Sequence, residues 1–198
     1  MASLYIVRHG NTFEADELPR RVGRRTDLPL TATGRAQAIA LGKAFASIRF
    51  ARALCGALLR TRQTADLILA HQPQALPLET ADVLTEIDHG PDENCTDSAI
   101  IARIGPEALA AWDEALVGPP DWLVDEPQRL AGWHALAQAA LTAPGPLLLV
   151  TSNGAARFAL KAFGQKTDKT SKLRTGAYGT LSAGPDTHYH VDTWDQRP

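Results

Sequence analysis

A cation and an imidazole stand side by side at Arg8-His9, directly after the apolar run Leu4-Tyr5-Ile6-Val7 and directly before Gly10-Asn11-Thr12. The apolar run reads as a buried strand, and open α/β sheets bind their ligands beyond the carboxyl ends of such strands. A neutral imidazole can form a covalent phosphoryl intermediate, and a guanidinium meets phosphoryl oxygens through a planar, charge-assisted fork. Three later stretches could complete such a site. Leu58-Leu59-Arg60-Thr61-Arg62-Gln63-Thr64-Ala65 places further arginines just after a second strand. Leu84-Thr85-Glu86-Ile87-Asp88-His89-Gly90-Pro91-Asp92-Glu93 supplies carboxylates and another imidazole. Thr151-Ser152-Asn153-Gly154 follows the apolar run Leu147-Leu148-Leu149-Val150. Hydrolysis of a phosphomonoester requires a nucleophile, positive charge on the phosphoryl oxygens and a proton donor for the departing alkoxide. These stretches hold one of each.

Taken together they resemble the histidine phosphatase superfamily, which includes the cofactor-dependent phosphoglycerate mutases. The resemblance runs from Tyr5 to about Trp194 and is weakest through residues 94–135. It implies that His9 is the nucleophile, that Arg8 and Arg60 hold the phosphate with Arg62 left to solvent, and that Glu86 is the proton donor. Asp88 and His89 compete for that last role, while Glu93 fits a structural acidic position. Leu84 and Ile87 give Glu86 the apolar setting that a carboxylic acid donor requires.

The chain departs from the family's pattern after Val150. The family usually reads Ser-His-Gly-Gly there, with an arginine five residues after the histidine, so counting back from Arg157 puts Ser152 in the histidine's place. A serine hydroxyl still donates one hydrogen bond, and the start of a helix near Asn153 favours an anion. A potential positive charge is lost. Losing a preorganised donor costs about 3–4 kcal/mol of transition-state stabilisation, which the serine would soften. Asn153 is a second phosphate-binding candidate beside its part in capping that helix.

Possible substrate contacts are Asn11, Thr12, Arg20, Arg21 and Gly23. The loop from Phe13 to Asp27 carries Arg20, Arg21, Arg24 and Arg25 and reads either as a solvated loop or as a basic lip beside an anion site. Val22-Gly23 stands where the family often has Gln-Gly.

The elements that must position these groups follow from pattern. Thr31 can cap a helix over about residues 32–48, with Ala38, Leu41, Ala44 and Phe45 as its apolar stripe. A short strand at 52–55 leads into a helix over 58–71, and 78–84 is weakly extended. Short helices are expected at 97–104 and 107–116, and a long one at 126–142 that Pro144-Gly145-Pro146 ends. Leu147–Val150 reads as a buried parallel strand, followed by a helix over 155–163. Two strands, 178–182 and 189–194, are joined by Ala183-Gly184-Pro185-Asp186. Trp112, Trp122 and Trp133 read as core or cap packing. His188 and His190 would share a strand face and, with no third ligand near, read as surface histidines rather than a metal site.

The bulk properties narrow the function. A chain of 198 residues with 44% hydrophobic and 21% charged residues suits one globular domain with a sizeable core. A formal charge of −2 gives no reason to expect nucleic-acid or membrane binding. Met1-Ala2-Ser3 enters the first strand at once, leaving no room for a signal peptide, and no apolar run is long enough to span a membrane. Cys55 and Cys95 are expected to stay thiols in a reducing cytoplasm. The sequence therefore predicts a three-layer αβα sandwich over residues 1–198, with a mostly parallel sheet, helices on both faces and a small α-helical cap insertion at about 94–125. The expected activity is hydrolysis of a small phosphorylated metabolite through a phosphohistidine, with no metal and no cofactor. Alternatives are a phosphoglycerate mutase-like phosphotransferase, or a low-turnover phospho-ligand binder because of Ser152.

Overall fold

The computed structural model describes residues 2–198; Met1, named above with the entry into the first strand, lies outside them. Six strands, β1 (Ser3–Arg8), β2 (Arg52–Cys55), β3 (Leu78–Thr80), β4 (Leu147–Thr151), β5 (Tyr178–Ala183) and β6 (Tyr189–Gln196), form one sheet in the order β3-β2-β4-β1-β5-β6. The pairs β1–β4, β2–β4 and β2–β3 are parallel, whereas β5 and β6 attach antiparallel at the far edge. All five residues of β4 are buried, as a strand covered on both faces requires.

Six α-helices supply the covering layers: α1 (Ala32–Ala44), α2 (Leu59–Leu69), α3 (Asp97–Ile104), α4 (Pro106–Ala115), α5 (Glu126–Thr142) and α6 (Asn153–Ala162). Alternate residues of the central strands feed two cores. Val7, Leu148 and Val150 pack with Leu41, Phe45 and Ile68 of the α1–α2 side. Leu4, Ile6, Leu147 and Leu149 face the opposite way, toward Trp133, Leu136 and Ala140 of α5 and Phe158 of α6. This is the expected mixed α/β architecture. Thr31 caps α1 by accepting from the Gly34 amide at 3.1 Å.

Element ends differ where local geometry competes. Helix α1 stops at Ala44 because the chain tightens at Phe45, whose carbonyl accepts from Ile48. Strand β3 ends at Thr80, and Asp82–Leu84 turn into a short 3-10 helix instead of staying extended. Helix α6 begins two residues early, with Ser152 as its extended N-terminal flank. His188 sits in the turn before β6, its Nδ1 3.0 Å from Asp186, so only His190 lies on the strand. Trp112, Trp122 and Trp133 are all buried, as expected.

The 94–125 stretch holds α3 and α4 and is tied down by buried polar contacts. Asp92 accepts from Arg103 Nε at 2.7 Å and from Trp122 Nε1 at 2.7 Å. Arg157, itself fully buried, donates to the carbonyls of Trp112 (3.2 Å) and Asp113 (2.8 Å) and to Ser171 Oγ (2.8 Å). One guanidinium from α6 thus fixes the end of α4.

Candidate active site

Strands β1 and β4 end side by side, with Arg8 opposite Thr151, and the His9 amide donates to the Thr151 carbonyl at 3.0 Å. Beyond these carboxyl ends opens a cavity of about 880 Å³. Arg8, His9, Glu86 and Asn153 line it, as do Asn11, Thr12, Arg20 and Arg21.

The orientation of His9 is set by its own backbone. Nδ1 lies 2.7 Å from the Gly10 carbonyl, which can only accept, so Nδ1 carries the hydrogen and Nε2 keeps its lone pair. Burial pushes the His9 pKa well below its ordinary value, and the positive charges of Arg60 and Arg8 push the same way. The ring is therefore neutral, with its lone pair on Nε2. Gly10 is held in turn by Thr64 of α2, which accepts from its amide at 3.1 Å. The main chain also passes very close to α1 here, for a Cβ on Gly10 would stand 2.3 Å from the Gly34 carbonyl oxygen.

Arg8 donates from Nη1 to the Leu173 carbonyl at 2.5 Å, while its Nε is buried with no partner. Burial brings the Arg8 pKa down to about 10, partly offset by Glu86. Arg60 is fully buried and lies outside the cavity lining. It donates to the carbonyls of Thr26 (2.7 Å), Gly23 (3.1 Å) and Val22 (3.3 Å), so its immediate work is to hold the 22–26 loop. Its Nε is also without a partner, and burial lowers its pKa against the pull of Glu86.

Glu86 sits at the N-terminus of α6. One oxygen accepts from the Gly154 amide at 3.0 Å, and the other from Ala155 at 3.2 Å and Ile87 at 3.0 Å. The free helix amides expected to favour a substrate anion are thus engaged by this carboxylate. A Cβ on Gly154 would stand 2.4 Å from Glu86 Oε1, so the contact depends on glycine.

Of the two phosphate-binding candidates Ser152 and Asn153, the second alone lines the cavity. Ser152 Oγ is buried, has no hydrogen-bond partner and caps nothing, and the residue is not part of the cavity wall. Asn153 lines the cavity, and its Oδ1 accepts from the Leu173 amide at 2.9 Å, which leaves the NH₂ end as donor. The start of α6 is held there by the bonds of Gly154 and Ala155 to Glu86 and of Asn153 to Leu173. Gly23 also lies off the cavity, its amide donating to Glu93 at 2.8 Å and its carbonyl accepting from Arg60.

The arginine-rich loop is not a bare basic lip. Arg21 pairs with Asp97 at 2.7 Å and Asp113 at 3.5 Å, Arg24 with Asp82 at 2.5 Å and Arg25 with Asp88 at 3.0 Å. Arg20 lies over the Phe13 ring, 5.3 Å from its centre. Lys172, a cavity residue that pattern reasoning passed over, pairs with Asp113 at 2.8 Å. Asp97, Asp113 and Lys172 carry no local motif, so only their assembly around the cavity marks them. Among the described residues no cluster of three or more His, Cys, Asp and Glu could hold a metal ion, and no helix is long and apolar enough to cross a membrane.

Strand β1 ends on an arginine–histidine pair, and a carboxylate sits over the helix after β4, in an α/β sheet of the histidine phosphatase type. The chain belongs to the histidine phosphatase superfamily (branch 1), whose family model matches residues 4–183. It is 35% identical over 122 residues to a 2,3-bisphosphoglycerate-dependent phosphoglycerate mutase 2 of Gloeobacter violaceus; the match covers 61% of this chain and about half (54%) of that relative. Its fold is like that of the mycobacterial glucosyl-3-phosphoglycerate phosphatase, with TM-score 0.83, 19% identity and 100% of both chains covered. The α-ribazole phosphatase of Shigella flexneri gives TM-score 0.78 at 22% identity, covering 98% of this chain and 96% of that one.

Proposed function

We propose that this protein is a metal-independent phosphomonoester hydrolase that acts through a phosphohistidine at His9 on a small phosphorylated metabolite. The observation that carries this reading is a set of buried polar atoms without partners. Among the described residues these are Arg8 Nε, Arg60 Nε, Ser152 Oγ and His89 Nδ1. A buried donor left unpaired costs about 1–3 kcal/mol, and a phosphoryl group in the cavity brings the acceptor that Arg8 wants to an imidazole whose Nε2 is free.

In the first half-reaction His9 Nε2 bonds to phosphorus as the ester P–O bond breaks, and Glu86 gives its proton to the leaving oxygen. Arg8 and Asn153, which line the cavity, stabilise the phosphoryl oxygens directly, and the buried Arg60, whose charge is felt at His9, adds to the positive potential that a metal would otherwise bring. In the second half-reaction water attacks phosphorus and the N–P bond breaks. Residues 94–125 act as the cap that selects the leaving group, with Arg20, Asn11 and Thr12 as contacts. The two free thiols, Cys55 and Cys95, support a cytoplasmic setting.

A phosphoglycerate mutase is the second reading, and the Gloeobacter relative favours it. A phosphoglycerate must seat its own carboxylate as well as the phosphate. Here the cavity-lining cations Arg21 and Lys172 are already neutralised by Asp97 and Asp113, which supports a substrate with one dianionic group.

The test is hydrolysis of p-nitrophenyl phosphate and a panel of phosphorylated metabolites, with and without chelator, by the wild type, His9→Ala, Ser152→His and Asn153→His. Turnover that survives chelator and disappears in His9→Ala is the expected result. Phosphate binding without turnover would favour a binder, and transfer to a second hydroxyl faster than to water would favour the mutase.

A further inference from the structure

His89 is a second imidazole in the cavity of His9, and the mechanism above leaves it idle. It is buried, with 6% of its surface exposed, and lines the cavity with His9 and Glu86. Its ring rests on Trp122, with centroids 4.3 Å apart, and Trp122 is itself pinned by Asp92. Its Nδ1 has no hydrogen-bond partner and lies 3.8 Å from Glu93 Oε2. Glu93 is immobilised by the Gly23 amide (2.8 Å), the Arg25 amide (3.2 Å) and the His89 amide itself (3.2 Å). Its carboxylate therefore faces Nδ1 without freedom to swing away. A hydrogen on Nδ1 is favoured by that charge, which leaves the Nε2 lone pair as the basic end of the ring. The ring is thus held against Trp122, with a fixed carboxylate 3.8 Å from Nδ1 favouring the tautomer whose Nε2 is basic.

Glu86, by contrast, already receives three backbone N–H groups. We propose that His89, held against Trp122 beside the Glu93 carboxylate, is the base that takes the proton of the attacking water when the phosphohistidine is hydrolysed. The inference rests on the phosphohistidine reading above. The oxygen of water bonds to phosphorus, the His9 N–P bond breaks and returns its electron pair to Nε2, and the water proton passes to His89 Nε2 and from there to solvent, from which Glu86 regains the proton it gave to the leaving oxygen. The charged groups facing His89 are Glu86, Glu93, Asp88 and Arg21, with Asp92 alongside. Burial outweighs the carboxylates among them and holds its pKa below the ordinary imidazole value, so the ring is neutral and able to accept at neutral pH.

The experiment is stopped-flow release of p-nitrophenolate from p-nitrophenyl phosphate by the wild type, His89→Asn and His89→Phe, with intact mass to detect phosphoenzyme. This leaving group needs no proton, so the two half-reactions separate. In both variants the first turnover should stay within about threefold of wild type, while the steady state falls about 10²-fold and phosphoenzyme accumulates. The acid limb of the wild-type steady-state pH profile should vanish with the imidazole. A merely structural loss would lower burst and steady state together, and that result overturns the proposal, as does a steady state close to wild type in both variants. Failure of the underlying reading looks different: His9→Ala would keep its turnover, or no variant would form phosphoenzyme.

Discussion

Glu86 Oε2 accepts the Gly154 amide at 3.0 Å, joining the segment after β3 to the first turn of α6 across 68 positions of sequence. This bond holds the candidate proton donor at the end of β4, the strand beside β1, so that Glu86 and His9 line one cavity. It also makes Gly154 a functional glycine, because any side chain there would enter the carboxylate's place.

Gly154→Ala separates positioning from stability. Within a helix, alanine is ordinarily more stable than glycine by about 1 kcal/mol. Here the new Cβ would meet Glu86 Oε1 at 2.4 Å and displace it. A displacement of that size at a reacting group costs on the order of 10²-fold in rate. Turnover of alkyl phosphates should fall by about that factor with little change in thermal midpoint, measured by steady-state kinetics and calorimetry.

Glu86→Gln should discriminate by leaving group. An alkoxide must be protonated as it departs, whereas p-nitrophenolate leaves without help, so general acid catalysis of about 10²–10⁴-fold is felt by the first class alone. The ratio of kcat/KM between the aryl and alkyl phosphates should rise in the variant. An unchanged ratio would remove Glu86 from the donor role.

The buried histidines make stability depend on pH. The folded pKa of His9 lies well below its unfolded value of 6.5, and that of His89 is shifted the same way. The folded state thus binds fewer protons, so this contribution is fully present above pH 6.5 and is lost as pH falls through the folded values. Unfolding free energy should decline on acidification below about pH 6.5, with a shallower slope in His9→Gln, as denaturant titrations across that window would show.

Arg157→Met tests the anchoring of the cap. Methionine fills the space but leaves the carbonyls of Trp112 and Asp113 without their donor. An unsatisfied buried acceptor costs about 1–3 kcal/mol. The variant should lose stability on that scale, and KM should rise more than kcat falls, since α4 borders the cavity through Trp112 and Asp113.

The sequence by itself determined the layers of this fold and the strand-end site. Strands read out as short apolar runs because a sheet covered on both faces excludes polar side chains from its central strands, and β4 is buried throughout. Arg8-His9 was legible because both residues follow such a run without a break. The start of α1 was legible because its cap is local, spanning Thr31 and Gly34. The tertiary structure decided what depends on rotation and long-range contact. Whether Ser152 or Asn153 meets the cavity turns on how the start of α6 is seated, and that is fixed by Glu86, 68 positions before Gly154, and by Leu173, 20 positions after Asn153. The arginines at 21, 24 and 25 looked like free charge because their carboxylate partners lie 58 to 92 positions away. His89 carried no sign of its setting, since the Trp122 ring and the cavity wall that define it come together only when the chain folds.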